Sequence, residues 1–315
     1  MKKHYFLFII IFVIGTSLIE AQTNASIEND NVQFNKLEAS LSPTLRKHGD
    51  NTVYSSGSRS FGNILDTVTP DSIKPWGVAC SGKYLYLTEY SGKSIFQYNL
   101  DGTPTGYVIN ANYGGPSWIG DLATDDVNIY ACNVGGDNAI NVFNIATGAL
   151  VNTITGDWTV ISQRGLAYDA SAHEFYIGGW NSDTIWRTDA LGNTIETIPA
   201  GDVSGLAWDS VGGPAGTGSL WVVNNDWSDI VTELDPNNSW ATLRTFPIPN
   251  GSGYSGAGLD INRINNLWVT NQTDFNLYLV EVDNTAPVPL NNWALGIAIM
   301  LMISFVIYKF RGKLA

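Results

Sequence analysis

One hairpin pattern, repeated five times, constrains this chain more than any other feature. Residues 84–101 read YLYLTEYSGKSIFQYNLD, two runs of alternating aromatic and β-branched residues around a Ser-Gly turn, which is the pattern of a β-hairpin. It returns at residues 128–145, 174–190, 219–235 and 266–283. A short apolar strand centred on a glycine precedes each copy. These glycines are Gly77, Gly120, Gly165, Gly205 and Gly258, with steps of 43, 45, 40 and 53 residues between them. A period of about 40 to 45 residues with four strands per unit predicts the blades of a β-propeller. The longest step contains the turn-rich insertion 212–218, which is expected to lie on the surface.

The glycine-centred strands are expected innermost, where blades crowd around the axis and a missing Cβ allows close backbone approach. Fourth strands are predicted at 105–110, 150–155, 194–199 and 240–248, but the fifth unit has none. Upstream, residues 62–70 (GNILDTVTP) contain a strand without a hairpin. Donating it to the last unit completes the ring and removes an exposed edge. The predicted fold class is therefore all-β, a five-bladed propeller over 62–283 closed by its N-terminal strand. Six blades is the alternative if residues 30–60 contribute further strands.

The succession of a Gly-opened strand, an aromatic strand ending in a polar residue, a short turn and a strand such as Ser94-Ile95-Phe96-Gln97-Tyr98 resembles the NHL-type and gluconolactonase-type propeller repeats.

The two ends of the chain carry an address. Residues 1–21 have Lys2 and Lys3, a short apolar run and Ala21 before a polar stretch, which predicts a cleaved secretory signal peptide. Residues 22–61, polar and without period, are expected to be a loosely ordered lead-in. After a linker at 284–293, the uncharged apolar run 294–308 (ALGIAIMLMISFVIY) predicts a transmembrane helix, a little short of the usual span. The tail 309–315, with Lys309, Arg311 and Lys313, is expected to stay cytoplasmic. Pro287, Pro289 and Leu290 followed by Trp293 and Ala294, then the hydrophobic helix and basic end, resemble the PEP-CTERM and IPTL-CTERM sorting signals. That resemblance implies export, cleavage by an exosortase-type enzyme and delivery to the envelope or surface of a Gram-negative bacterium. A plain single-pass anchor is the other reading.

Chemistry is less legible. The formal net charge is -13, and five of the sixteen basic residues lie in the terminal segments, so the body repels phosphate backbones and nucleic acid is not an expected partner. Cys80 and Cys132 carry no spacing information, and both a bridge and two thiols are compatible with the sequence. His4, His48 and His173 all fall outside the expected channel, which argues against a Ser-His-Asp hydrolase or a His-ligated metal.

Two sets of residues are expected around the channel mouth. Glu89, Asn133, Asn181 and Asn271 end the second strands, and oxygen-bearing side chains in a ring would suit Ca²⁺. The gluconolactonase resemblance implies a metal there and a lactonase-like hydrolase, with an acidic residue such as Asp226 as base. Hairpin turn chemistry accounts for the same asparagines without any ligand. The second set is aromatic: Trp180 and Trp227 in turns, Tyr90 beside them, and Trp76 and Trp118 on the loops leading into first strands. These suggest a platform for a sugar or a peptide. The catalytic residues of any reaction are not identifiable, and the leading expectation is a non-catalytic, membrane-tethered or surface-sorted module that binds glycan or protein.

Overall fold

A computed structural model describes residues 61–262 and 266–282, all within the unit Ser56–Ala315. The signal peptide, most of the lead-in, the sorting motif, the predicted transmembrane helix and the basic tail lie outside the described residues. Among the described residues, no helix is long and apolar enough to cross a membrane.

The described strands form five four-stranded antiparallel sheets. Blade one is β2 (Pro75–Cys80), β3 (Tyr84–Glu89), β4 (Ser94–Asn99) and β5 (Pro104–Asn110). Blade two follows with β6 (Trp118–Thr124), β7 (Asn128–Val134), β8 (Ile140–Asn144) and β9 (Leu150–Ile154). Blade three is β10 (Gly165–Asp169), β11 (Glu174–Gly178), β12 (Thr184–Asp189) and β13 (Thr194–Pro199). Blade four is β14 (Val203–Asp209), β15 (Ser219–Asn224), β16 (Ile230–Asp235) and β17 (Ala241–Pro247). The last blade is β18 (Gly256–Ile261), β19 (Asn266–Asn271) and β20 (Asn276–Glu281), with β1 (Ile64–Val68) as its outer strand. The insertion at 212–218 forms only a short 3-10 turn, Pro214–Gly216.

The closure is made as expected: β1 pairs antiparallel with β20, placing Thr67 opposite Tyr278 and Val68 opposite Leu277. Val68 is buried among Val78, Leu85, Leu87, Tyr98, Trp268 and Leu277, so the first strand also joins the last blade to the first.

Each gap between adjacent blades contains one apolar cluster, five in all among the described residues. The gap between blades four and five is filled from both sides by Trp221, Val223 and Phe246 against Leu259, Leu267 and Tyr278. This arrangement explains the weak polar alternation in β3, β7, β15 and β19: their side chains meet a neighbouring blade on either face, so both sets must be apolar. Trp221, Trp268 and Tyr176 are buried in these gaps, the packing role expected of aromatics inside strands.

Around the axis the blades approach too closely for a side chain. A Cβ on Gly77 would come within 2.3 Å of the Gly120 carbonyl oxygen, and one on Gly205 within 2.3 Å of that of Ala257. Cys80 and Cys132 form no disulfide. The Cys132 thiol is buried against the Gly165 carbonyl at 3.8 Å, while that of Cys80 faces its neighbour Ser81 at 3.3 Å.

Candidate functional site

A single buried carboxylate stands where the five inner strands meet. Asp121 follows the glycine of β6 and is fully buried. Its Oδ1 accepts the Val78 N–H at 3.2 Å, from blade one. Its Oδ2 accepts N–H groups from the other three blades: Leu206 at 3.0 Å, and Leu166 and Leu259 each at 3.5 Å. A group that touches the inner strands of all four other blades stands on the axis. Burial pushes its carboxyl well above the usual carboxylate range, against the lowering effect of N–H bonds from Leu206, Leu122 and Val78.

Above this carboxylate, on the face where inner strands begin and second strands end, the structure assembles an aromatic cage. Trp76 lies 5.2 Å from Tyr90 and 5.0 Å from Trp118, the latter edge to face. Tyr90 and Trp118 are 6.4 Å apart. Into this cluster projects Arg164, from the residue before β10. Its guanidinium carbon is 4.5 Å from the Trp180 ring centre and 5.7 Å from those of both Trp76 and Trp118. Blades one and three are not adjacent, so a contact between Trp76 and Arg164 has to form over the channel mouth.

The backbone holds Arg164 in place from both sides. Its N–H donates to the Gly178 carbonyl at 2.8 Å and its carbonyl accepts the Asp121 N–H at 2.7 Å. Burial holds its guanidinium below its ordinary pKa, with the nearby Tyr90 opposing that shift. The indole Nε1 atoms of Trp76 and Trp180 are enclosed and make no hydrogen bond.

Four of the five expected aromatics, Trp76, Trp118, Tyr90 and Trp180, thus meet at one place. Trp180 differs from the expected exposed platform: it is half-buried, because Arg164 covers its face. Trp227 stands apart on the turn between β15 and β16, 75% exposed, with its ring 5.0 Å from that of Tyr254. The loop bearing Tyr254 is held by Asp229, whose carboxylate accepts the N–H groups of Gly253 and Ser255 and the Ser255 hydroxyl. On the rim between the last and first blades, Lys74 lies 4.8 Å above the Phe275 ring.

The oxygen-bearing ring is mostly engaged in its own turns. Asn133 donates to Asp137 at 2.6 Å. Asn271 is fully buried, accepts the Thr273 N–H and hydroxyl, and donates to the Pro249 carbonyl. Asn225 donates to the Gly256 carbonyl at 2.8 Å. Asn181 is exposed and Glu89 half-buried. Asp226, the candidate base, caps its own turn by accepting the Ser228 N–H and hydroxyl. Among the described residues, no group of three His, Cys, Asp or Glu side chains gathers as metal ligands would.

The sequence offers Asp121 only as one of several carboxylates among which nothing singles out a pair, and does not point to Arg164, though each leaves a trace in the repeats. The residue before each central glycine is Trp76, Ile119, Arg164, Ser204 or Ala257, and the residue after it is Val78, Asp121, Leu166, Leu206 or Leu259. Each column contains one charged residue.

Fold and site together define a five-bladed β-propeller with a buried carboxylate on its axis and an arginine-bearing aromatic mouth. No family model matches the chain, and no curated protein matches it in sequence. Among solved structures it is similar to the glutaminyl cyclase of Myxococcus xanthus, with 11% identity and a TM-score of 0.55 over 70% of this chain and 96% of that one. A protein of unknown function from Bacteroides caccae is similar at 13% identity and a TM-score of 0.46, covering 64% of this chain and 72% of that one. At 11% identity the likeness to the glutaminyl cyclase is one of fold.

Proposed function

We propose that this chain is an exported propeller, tethered to a membrane or sorted to the surface, which binds a glycan or protein ligand at its mouth without converting it. The observation that supports this most is the cage itself: Trp76, Trp118, Tyr90 and Trp180 converge from three blades around one cation. Rings held by a rigid scaffold offer contact area at little entropic cost. Among the described residues around these rings, none pairs a base with an acid at a shared substrate position.

The lactonase-like alternative requires Glu89 and the asparagine oxygens to converge on Ca²⁺, whereas the Asn271 Oδ1 already accepts the Thr273 N–H and hydroxyl, and the buried Asn133 Oδ1 has no partner. Calcium titration of the purified protein separates the two readings. The binding reading expects no calcium-dependent lactone hydrolysis and a loss of ligand capture in Trp180→Ala; hydrolysis that needs calcium and Glu89 overturns it. For the tether, intact mass of the mature protein from its native membrane fraction is decisive. A C-terminus between 287 and 292 supports processing at the sorting motif, and a mass reaching Ala315 supports a permanent anchor.

A further inference from the structure

The three described arginines are treated differently. Arg187 bonds Glu174 at 2.6 Å and Glu196 at 2.8 Å, and Arg244 bonds Glu233. Arg164 has no described carboxylate within ion-pair distance, in a chain with 29 acidic residues. Three indoles cover part of it, and it is half-buried without a counterion among the described residues. A guanidinium stacked on rings keeps its N–H edge available, and that edge matches the two oxygens of a carboxylate.

The surroundings favour the same kind of ligand group. The guanidinium offers donors only, over rings that accept nothing in the plane of its N–H edge, which suits a group that only accepts, as an ionised carboxylate does. The strongly acidic body disfavours a polyanion. The remaining walls are rings, which suit an apolar side chain.

We infer that Arg164 anchors the free C-terminal carboxylate of a peptide chain whose last residue is apolar; this rests on reading the mouth as a binding face. The test uses the full chain in detergent, with random hexapeptide libraries carrying either a free C-terminal acid or an amide, and sodium glucuronate as a separate probe. Retained peptides are identified by mass spectrometry. The expected result is at least about tenfold enrichment of acids over amides, with apolar residues last, lost in Arg164→Gln and weakened about tenfold in Arg164→Lys, which keeps the charge but not the fork. Far-ultraviolet circular dichroism checks that the variants fold, and the lysine variant keeps the test open if the glutamine variant does not.

Equal enrichment of acids and amides that Trp180→Ala abolishes would overturn the role of Arg164 while leaving the binding face in place. A response to glucuronate alone, lost in Arg164→Gln, would overturn the peptide end and point to an acidic sugar. No response of the wild type to either library or to glucuronate would overturn the inference, and a known ligand insensitive to Trp180→Ala would overturn the face itself.

Discussion

Asp121 shows how much one side chain can carry in this architecture. The inner strands of a propeller direct N–H groups toward the axis, where no further strand exists to accept them. One carboxylate accepts from blades one, three, four and five at once. Each buried donor left without a partner costs about 1–3 kcal/mol, so Asp121→Ala is expected to lose at least about 3 kcal/mol in urea unfolding. Asp121→Asn, of the same shape but with an amide N–H₂ facing those donors, should be destabilised in the same direction. Either variant at wild-type stability would mean that the carboxylate is dispensable. The columns on either side of the central glycine hold the two residues whose place the sequence did not reveal, Asp121 and Arg164. Both were visible as charged residues in otherwise uncharged columns, but which way a strand residue points near the axis depends on bulges. β6 has one between Ile119 and Leu122, whereas β10 pairs without a shift.

At the scale of the element, β1 is the most informative strand. Among the described strands it alone is far in sequence from its partner, and it covers what would otherwise be the open edge of β20. Val68→Asp places a charge among Val78, Leu87 and Trp268 and is expected to cost about 3 kcal/mol. The same variant should expose β20, so size-exclusion chromatography is expected to show self-association. A monomeric, fully stable variant would mean that closure does not depend on this strand. The glycine strands make a complementary test. Gly205→Ala forces a methyl against the Ala257 carbonyl and the Leu259 nitrogen, at 2.3 and 2.7 Å before any relaxation. Both atoms are backbone of the next blade, so the variant should unfold at a clearly lower temperature, whereas Gly106→Ala, with open space around it but a left-handed backbone, should cost about 1 kcal/mol. Element positions were legible because hairpin alternation and turn residues are local; the predicted fourth strand at 194–199 coincides with β13.

Over the whole molecule, the side opposite the mouth carries a second unusual carboxyl. Asp260, near the end of β18, accepts the Cys80 N–H of the adjacent blade, and burial pushes it up to about 7. Its folded-state value exceeds the ordinary carboxylate value of about 4. Folding therefore takes up a proton, and the stability contributed is full below about pH 4 and is lost as pH rises to about 7. Asp121 is shifted in the same direction. Urea unfolding between about pH 5 and 8 should accordingly show a decline that flattens in Asp260→Asn; an unchanged slope would remove Asp260 as its source. By itself, the sequence determined the strand order and the closing strand and pointed to five blades with six as the alternative, because these follow from short-range alternation, turn chemistry and a count of the strands left over. It also placed aromatics at the mouth; only the tertiary structure decided which of them meet and that Arg164 joins them. Trp76, Trp118, Tyr90, Trp180 and Arg164 are far apart in the chain and come from three blades, and they meet because ring closure brings the ends of inner strands to one axis.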